Sequence, residues 1–513
     1  MIRPFLTVSS GTLASRLLGF VRDSMVAATL GAGPVADAFL VAFQLVNVVR
    51  RLLTEGALNA ALVPAWLKLR DAEGAAAAAA FAGKLLGTVS AVLVAATALI
   101  ALAMPLVIAA LAPGFAGSEA LAMAVVDARL MLPYLAFAGP VTVLMAVMNA
   151  QGRFALPAFS PLLFNIALIA VMAVLLFWRQ DAARAALILA GVVGIAGLLQ
   201  LSILILRRGE KVAAPLRISF DKEMRGFLAR AIPGMIASSG PQLLMIAAAV
   251  IASSSPSAVS WLYFANRLIE LPLGLVGVAM GTVLVGELSR AVQSGDTAAV
   301  SHAESRALEL AAGLALPATL GLIVLAEPIV RLLFEHGAFT SGDTAATARA
   351  LVWLALGLPA QVLFKALAPA FFARENTATP LVSVLKGILF ALATSFLFGH
   401  FFGAEGIAAG IALGGWSSAL SLLREGATRF GFAIDAPARR RLPRIVAAAL
   451  VMAAAIWWMQ RFLPSAGLAQ AVALGALIAG GIAIYGLTLR LFGVTGWREA
   501  VNELKAAPRD LRG

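Results

Sequence analysis

The stretch FLTVSSGTLASRLLGFVRDSMVAATL, Phe5 to Leu30, is long enough as a helix to cross the hydrocarbon core of a bilayer, yet it carries Arg16, Arg22 and Asp23. It does not read as a cleavable leader, because the two arginines interrupt the apolar run and no small-residue cleavage site follows. It reads as a first membrane span with charges at depth. Arg16 lies about 11 residues into the span, roughly 16 Å from its start, and Arg22 about 9 Å beyond it, so neither easily reaches the cytoplasmic surface. Each buried charge costs about 2.5–3.5 kcal/mol even on a lenient insertion scale, which calls for partners or a water-filled cavity.

The rest of the chain has the same character. Of 513 residues, 61% are hydrophobic and 13% charged, about half the charge of a typical soluble protein, and the mean hydropathy is +0.94. Apolar runs between polar or Pro/Gly breaks predict about fourteen helices, near 5–30, 35–66, 84–111, 125–149, 157–177, 184–206, 225–252, 258–290, 305–334, 346–371, 378–401, 405–430, 442–463 and 468–492. The expected fold is an all-α polytopic membrane protein: two six-helix bundles around a central cavity, plus two extra C-terminal helices.

The formal charge of +13 would suggest nucleic acid in a soluble protein. Here the basic residues fall mostly in alternate loops, including Arg3, Lys68, Arg70, Lys84, Arg153, Arg207, Arg208, Arg290, Arg374, Arg429 and the run Arg439–Arg441, while loops such as Gly31–Pro34 and Ser253–Ser257 are short and neutral. That distribution predicts two cytoplasmic termini. Beside a span, the run Arg439–Arg441 suits anionic lipid better than nucleic acid.

A connection at 207–224 is basic, with Leu216, Ile218 and Phe220 alternating with Arg217 and Ser219, and is expected to lie along the membrane surface. It separates a first bundle (1–206) from a second (225–430), followed by the appended pair (431–492) and a cytoplasmic tail (493–513). A shift of about 223 residues aligns Ala42, Leu45 and Pro157 with Ala265, Leu268 and Pro380, the mark of an internal repeat.

Further charges follow in the second span, where Asp37, Gln44 and Arg51 make an approximate heptad stripe, Glu55 lies four residues beyond Arg51, and Asn47 three before Arg50. Arg16 and Asp23 share a helix face; Arg22, turned by about 120°, is expected to find its partner elsewhere. In the second half, Arg267 and Glu270 are three apart on one span, and Lys365 and Lys386 lie in later ones. Same-helix carboxylates make Arg51–Glu55 and Arg267–Glu270 candidates for structural ion pairs. For Arg16, Arg22 and Arg50 the cations outnumber the nearby carboxylates, and a guanidinium fork suits phosphate or pyrophosphate oxygens.

Catalytic machinery is not legible. Gly83-Lys84 is followed by Leu85 and preceded by the helical run Ala75–Ala80, so it is no nucleotide loop. Cysteine is absent and the three histidines are far apart, so neither a metal site nor any other cofactor is expected. Between Arg225 and Ile251 the seventh span has no carboxylate, which argues against a sodium site there.

The segment Ser15–Asp23, followed by Asp37-Ala38-Phe39 and by Asn47-Val48-Val49-Arg50-Arg51-Leu52-Leu53-Thr54-Glu55-Gly56-Ala57, closely resembles the MurJ (MviN) lipid II flippase family. Asn266-Arg267-Leu268-Ile269-Glu270-Leu271-Pro272 and Phe334-Glu335-His336-Gly337 are similar to it as well. The resemblance covers nearly the whole chain. It implies a multidrug/oligosaccharidyl-lipid/polysaccharide exporter fold that moves undecaprenyl-pyrophosphate-linked muropeptide to the periplasmic leaflet of the bacterial inner membrane. It carries substrate-binding roles to Arg16, Arg22, Arg50 and Arg267. Cavity or gate positions are Asp23, Asp37, Asn47, Arg51, Glu55, Glu270 and Lys365. The expected partners are lipid II and membrane lipids, with a monomer able to associate with cell-wall synthesis machinery. Two rival transporters stay open at this stage, a flippase for another polyprenyl-linked glycan and a drug/cation antiporter of the same superfamily; a non-transporting membrane scaffold is a third reading.

Overall fold

The computed structural model describes residues 2–54, 57–178, 180–207, 213, 216–222, 224–229, 240–274, 297–372, 374, 376, 378–432, 434–464 and 467–494. Among these every regular element is helical. The first nine helices are α1 (Ile2–Leu30), α2 (Pro34–Thr54), α3 (Ala57–Glu73), α4 (Ala75–Leu102), α5 (Met104–Leu111), α6 (Glu119–Met131), α7 (Pro133–Ala150), α8 (Ala155–Trp178) and α9 (Ala182–Arg207). There follow α10 (Gly240–Ala252), α11 (258–274), α12 (Thr297–Val324), α13 (Ala326–Phe334), α14 (Ser341–Ala355), α15 (Leu358–Phe372), α16 (Ala378–Phe430), α17 (Ala436–Met459) and α18 (Gly467–Leu491).

Among the described residues, nine helical stretches are long and apolar enough to span a bilayer. The third expected span starts earlier than read, at Ala75, because the alanine run has high helix propensity though little hydropathy. It breaks at Ala103, where Pro105 opens α5. The 53-residue α16 is two spans, as its apolar runs predict: Gly403, at φ 56° and ψ −134°, adopts a backbone conformation that side chains forbid. Its arms fold back on each other, with Ser395 Oγ donating to the Ile407 carbonyl at 3.1 Å and Thr394 Oγ1 to that of Gly410 at 3.4 Å.

The described residues fall into two compact units, one within 1–264, 333–346 and 395–407, the other within 265–332, 347–394 and 408–513. In the first, α1 packs on α8, α2 on α6, α4 on α7, and α9 on α6, α7 and α8. One of its cores joins Leu62, Phe81, Leu85, Leu144, Met148 and Phe227. In the second, α12 packs on α15 and α17, and α17 on α18.

Exposure here separates protein-facing from lipid-facing helices. Only 17% of the apolar window of α4 is buried within the protein, against 72% for the α6–α7 stretch. Leu99, Leu102 and Phe177 stand largely uncovered. Apolar side chains of this kind lose nothing in hydrocarbon, so the chain is a multi-pass membrane protein.

Candidate substrate site

Arg22 is buried at the centre of the first unit, 5% exposed. Its Nε and Nη2 donate to Asp23 Oδ1 at 2.9 and 2.6 Å, and its Nη1 donates to Asn165 Oδ1 of α8 at 3.1 Å. Arg22 thus has a partner elsewhere, as expected, in Asn165, but its carboxylate is that of the next residue in the chain, which the expectation did not include. A helical wheel treats side chains as fixed vectors, whereas an arginine long enough to turn back reaches its neighbour. The guanidinium also lies 5.0 Å from the Phe43 ring centroid and 5.7 Å from that of Phe164. Asp23 in turn accepts from the Tyr263 hydroxyl of α11 at 3.2 Å, and Asn165 Nδ2 donates to the Ser15 carbonyl at 3.2 Å. A small cavity beside the pair is bounded by Phe39, Phe43, Leu168, Leu189 and Tyr263.

Arg50, near the far end of α2, comes to the same ring: its guanidinium carbon is 5.7 Å from the Phe164 centroid. Its Nε and Nη2 donate to Asn47 Oδ1 at 3.2 and 2.8 Å, the contact their three-residue spacing predicts. Tyr134 of α7, also buried, meets Phe164 edge-on at 5.3 Å. Two guanidiniums therefore approach one aromatic ring inside the membrane span, with the Asp23 carboxylate at one of them. Like charges set together in a low-dielectric interior favour a bound anion.

Arg16, six residues before Arg22 on α1, is exposed. Asp37 is buried but does not join the arginines. Its Oδ1 accepts from the Ser260 amide at 2.8 Å and from the Ser260 hydroxyl, so it caps the first turn of α11. Arg51's side chain and Glu55 lie outside the described residues. In the second unit Arg267 pairs with Glu270 at 2.6 Å, both half-buried, as the same-helix spacing predicts, and Lys365 is half-buried on α15. Arg129, at a span end, donates to the Ala101 carbonyl at 3.1 Å.

The sequence reading missed Phe43, Tyr134, Phe164, Asn165 and Tyr263. A signal existed for Asn165 alone: an amide in the run Pro161–Trp178 has to be satisfied inside the protein. The Phe-Glu-His-Gly motif acquires a structural role. Phe334 is wholly buried against Phe20 and Phe264, at 6.0 and 5.1 Å between ring centroids, and the Ala338 amide donates to the Ala28 carbonyl at 2.8 Å. The loop after α13 is thereby fastened to the end of α1, five residues beyond Asp23.

Apolar helices of membrane length around a buried cationic cluster define a polytopic transporter. The model of the family described as lipid II flippase MurJ matches residues 26–477. A probable lipid II flippase MurJ of Rhizobium meliloti (strain 1021) is 39% identical over 500 residues, covering 94% of this chain and 92% of the relative. The lipid II flippase MurJ of Burkholderia cenocepacia is 34% identical over 468 residues, covering 89% and 90%. The chain belongs to the MurJ lipid II flippase family. Its fold matches a solved lipid II flippase MurJ in an inward closed conformation with TM-score 0.78 at 23% identity, over 97% of this chain and all of that one. An inward-facing multidrug resistance MATE family transporter of the MOP superfamily shares the fold with TM-score 0.69 at 16% identity, over 81% and 94%.

Proposed function

We propose that this protein translocates lipid II, an undecaprenyl-pyrophosphate-linked peptidoglycan precursor, from the cytoplasmic to the periplasmic leaflet of the bacterial inner membrane. The observation that carries the reading is the convergence of Arg22 and Arg50 on Phe164, since two guanidiniums at one ring suit the adjacent phosphates of a pyrophosphate. Family membership supplies the identity of the lipid-linked glycan.

The two arginines do different work. Arg22 is held by Asp23 and Asn165 and is released when a stronger anion competes for it, whereas Arg50, held by the neutral Asn47 amide, engages the head group first. Arg16, exposed on the same helix as Arg22, guides the anion inward, and Arg267 receives it from the second half. Asp23, Asp37, Asn47, Arg51, Glu55, Glu270 and Lys365 line the cavity or its gates. The organisation in support is fourteen spans with both termini cytoplasmic: bundles at 1–206 and 225–430, a surface connection at 207–224, the helices of 431–492 and a tail at 493–513. Rocking of the bundles exposes the head group on alternate sides. The protein works as a monomer, without a cofactor or a catalytic step of its own, and docks with cell-wall synthesis enzymes.

The test is transfer of labelled lipid II across the membrane of cells depleted of the native flippase. Wild type should restore transfer, and Arg50→Ala should reduce it at least about tenfold, the loss of a charged hydrogen-bond partner worth roughly 1.5–3 kcal/mol. Transfer unchanged in both Arg22→Ala and Arg50→Ala would remove the arginine site; no transfer by wild type would remove the flippase reading. An antiporter of the MATE type is a weaker reading, because cationic drugs call for a cavity dominated by carboxylates.

A further inference from the structure

The connection between the two bundles holds a surface that translocation does not use. Residues 216–220 are extended rather than helical, so their side chains alternate with period two. Leu216 (62% exposed), Ile218 (63%) and Phe220 (50%) all point away from the protein. Ser219, between them, is tied down: its amide donates to Thr88 Oγ1 and its carbonyl accepts from the same hydroxyl, both at 3.0 Å.

The seat is a notch in α4. A Cβ on Gly87 would lie 2.6 Å from the Arg217 carbonyl oxygen and 2.8 Å from its carbon, so only glycine admits this backbone. One turn earlier, Gly83 offers its carbonyl to the Arg217 amide at 3.5 Å. Beyond the notch, Lys84 Nζ donates to Asp221 Oδ2 at 2.9 Å, and Asp221 Oδ1 accepts from the Met224 amide at 2.9 Å. Met224 and Phe227 are buried, Phe227 edge-on to Phe81 at 5.8 Å. Both ends of the segment are therefore fixed, and its apolar comb is held outward by design of the backbone path.

We propose that residues 216–220 form an extended anchor that inserts Leu216, Ile218 and Phe220 into the cytoplasmic leaflet, with Arg217, Lys222 and Arg225 on the headgroups of anionic phospholipids. Two observations choose lipid over a protein partner. The notch at Gly83–Gly87 opens the long apolar run of α4, a helix that faces lipid over most of its length, so the comb stands where hydrocarbon begins. The three flanking cations are exposed, while Asp221, the adjacent carboxylate among the described residues, is paired with Lys84. Apolar teeth set between basic residues match an anionic interface.

The chain contains no cysteine, so single-cysteine variants report unambiguously. Leu216→Cys, Ile218→Cys, Phe220→Cys and, as the inward-facing control, Ser219→Cys are labelled with a polarity-sensitive fluorophore in the full-length protein. They are compared in vesicles of phosphatidylethanolamine with phosphatidylglycerol and in vesicles of phosphatidylcholine. The three outward positions should be quenched at least about twofold more than position 219 by lipids bearing a nitroxide near the headgroup, and shielded from aqueous iodide. Replacing phosphatidylglycerol should weaken that quenching, as should Arg217→Gln with Lys222→Gln and Arg225→Gln. Iodide access at all three outward positions in lipid alone overturns the anchor and leaves a protein partner as the occupant of the comb. Quenching indifferent to lipid charge overturns the role of the three cations. Gly87→Leu, which fills the notch, should abolish the alternation between 218 and 219 while lipid II transfer persists.

Discussion

Arginines in the two units are held in opposite ways. In the second unit three of them are matched to carboxylates: Arg267 to Glu270 at 2.6 Å, Arg374 to Glu304 at 3.4 Å, Arg441 to Glu309 at 3.3 Å. In the first, Arg22 and Arg50 gather around one phenylalanine, steadied by amides, with Asp23 serving Arg22. The pairs of Arg374 and Arg441 tie distant parts of the chain together, whereas a cationic cluster keeps an electrostatic demand that an anionic substrate can meet. The residue type is the same in both places, and the surroundings assign the role.

The sharpest way to break this contrast is to remove the carboxylate that holds Arg22. Asp23→Asn leaves Arg22 buried without its counter-charge and should cost about 3–5 kcal/mol, read as a lowered unfolding temperature in detergent. Adding Arg22→Gln should recover most of that loss, since no buried charge is then left unpaired. Next in size, Phe164→Leu removes the ring that both guanidiniums share. It should cost about 1–2 kcal/mol of stability and reduce lipid II transfer several-fold, measured side by side in membranes and in detergent.

Glu270→Gln tests the other side of the comparison. A half-exposed same-helix pair contributes about 0.5 kcal/mol, so stability should barely change, and transfer should stay within about threefold of wild type. A collapse of folding here would place Arg267 in the same class as Arg22.

The smallest effect belongs to Asp221, outside the spans. Its hydrogen bonds to the Met224 amide, Lys84 and Ser219 hold its carboxyl down at about 2. A depressed folded-state value means that this contribution is fully present above the ordinary carboxylate range near pH 4 and is lost as pH falls through about 2. Proteolysis of the connection should therefore be independent of pH from about 5 to 8 and rise only in strong acid.

Much of this architecture was legible from hydropathy. The break between the spans of α16 was expected between 401 and 405, and Gly403 sits there. Arg22 and Arg50 stood out because charge is conspicuous in an apolar run. Their aromatic and amide partners did not, because Phe164 in a membrane helix reads the same whether it faces lipid or guanidinium. Boundaries failed where propensity and hydropathy disagree, as at Ala75, and the pairing of Arg22 with Asp23 failed because side-chain reach is invisible to a helical wheel. Asp37 read as part of a polar stripe on its own helix, while its partner lay 223 residues away.

That separation equals the shift of about 223 residues that the sequence reading uses to align the two halves, so on that reading Asp37 and Ser260 are equivalent positions. In a pair of identical chains, the residue that meets its own symmetry mate is the same on both sides. Two aspartates would repel there, and two serines would forgo the charge that the end of a helix prefers. Two halves joined in one polypeptide are free to diverge at such positions, and an acid–hydroxyl contact between them is one that a linked repeat can hold and a homodimer meeting its own symmetry mate cannot.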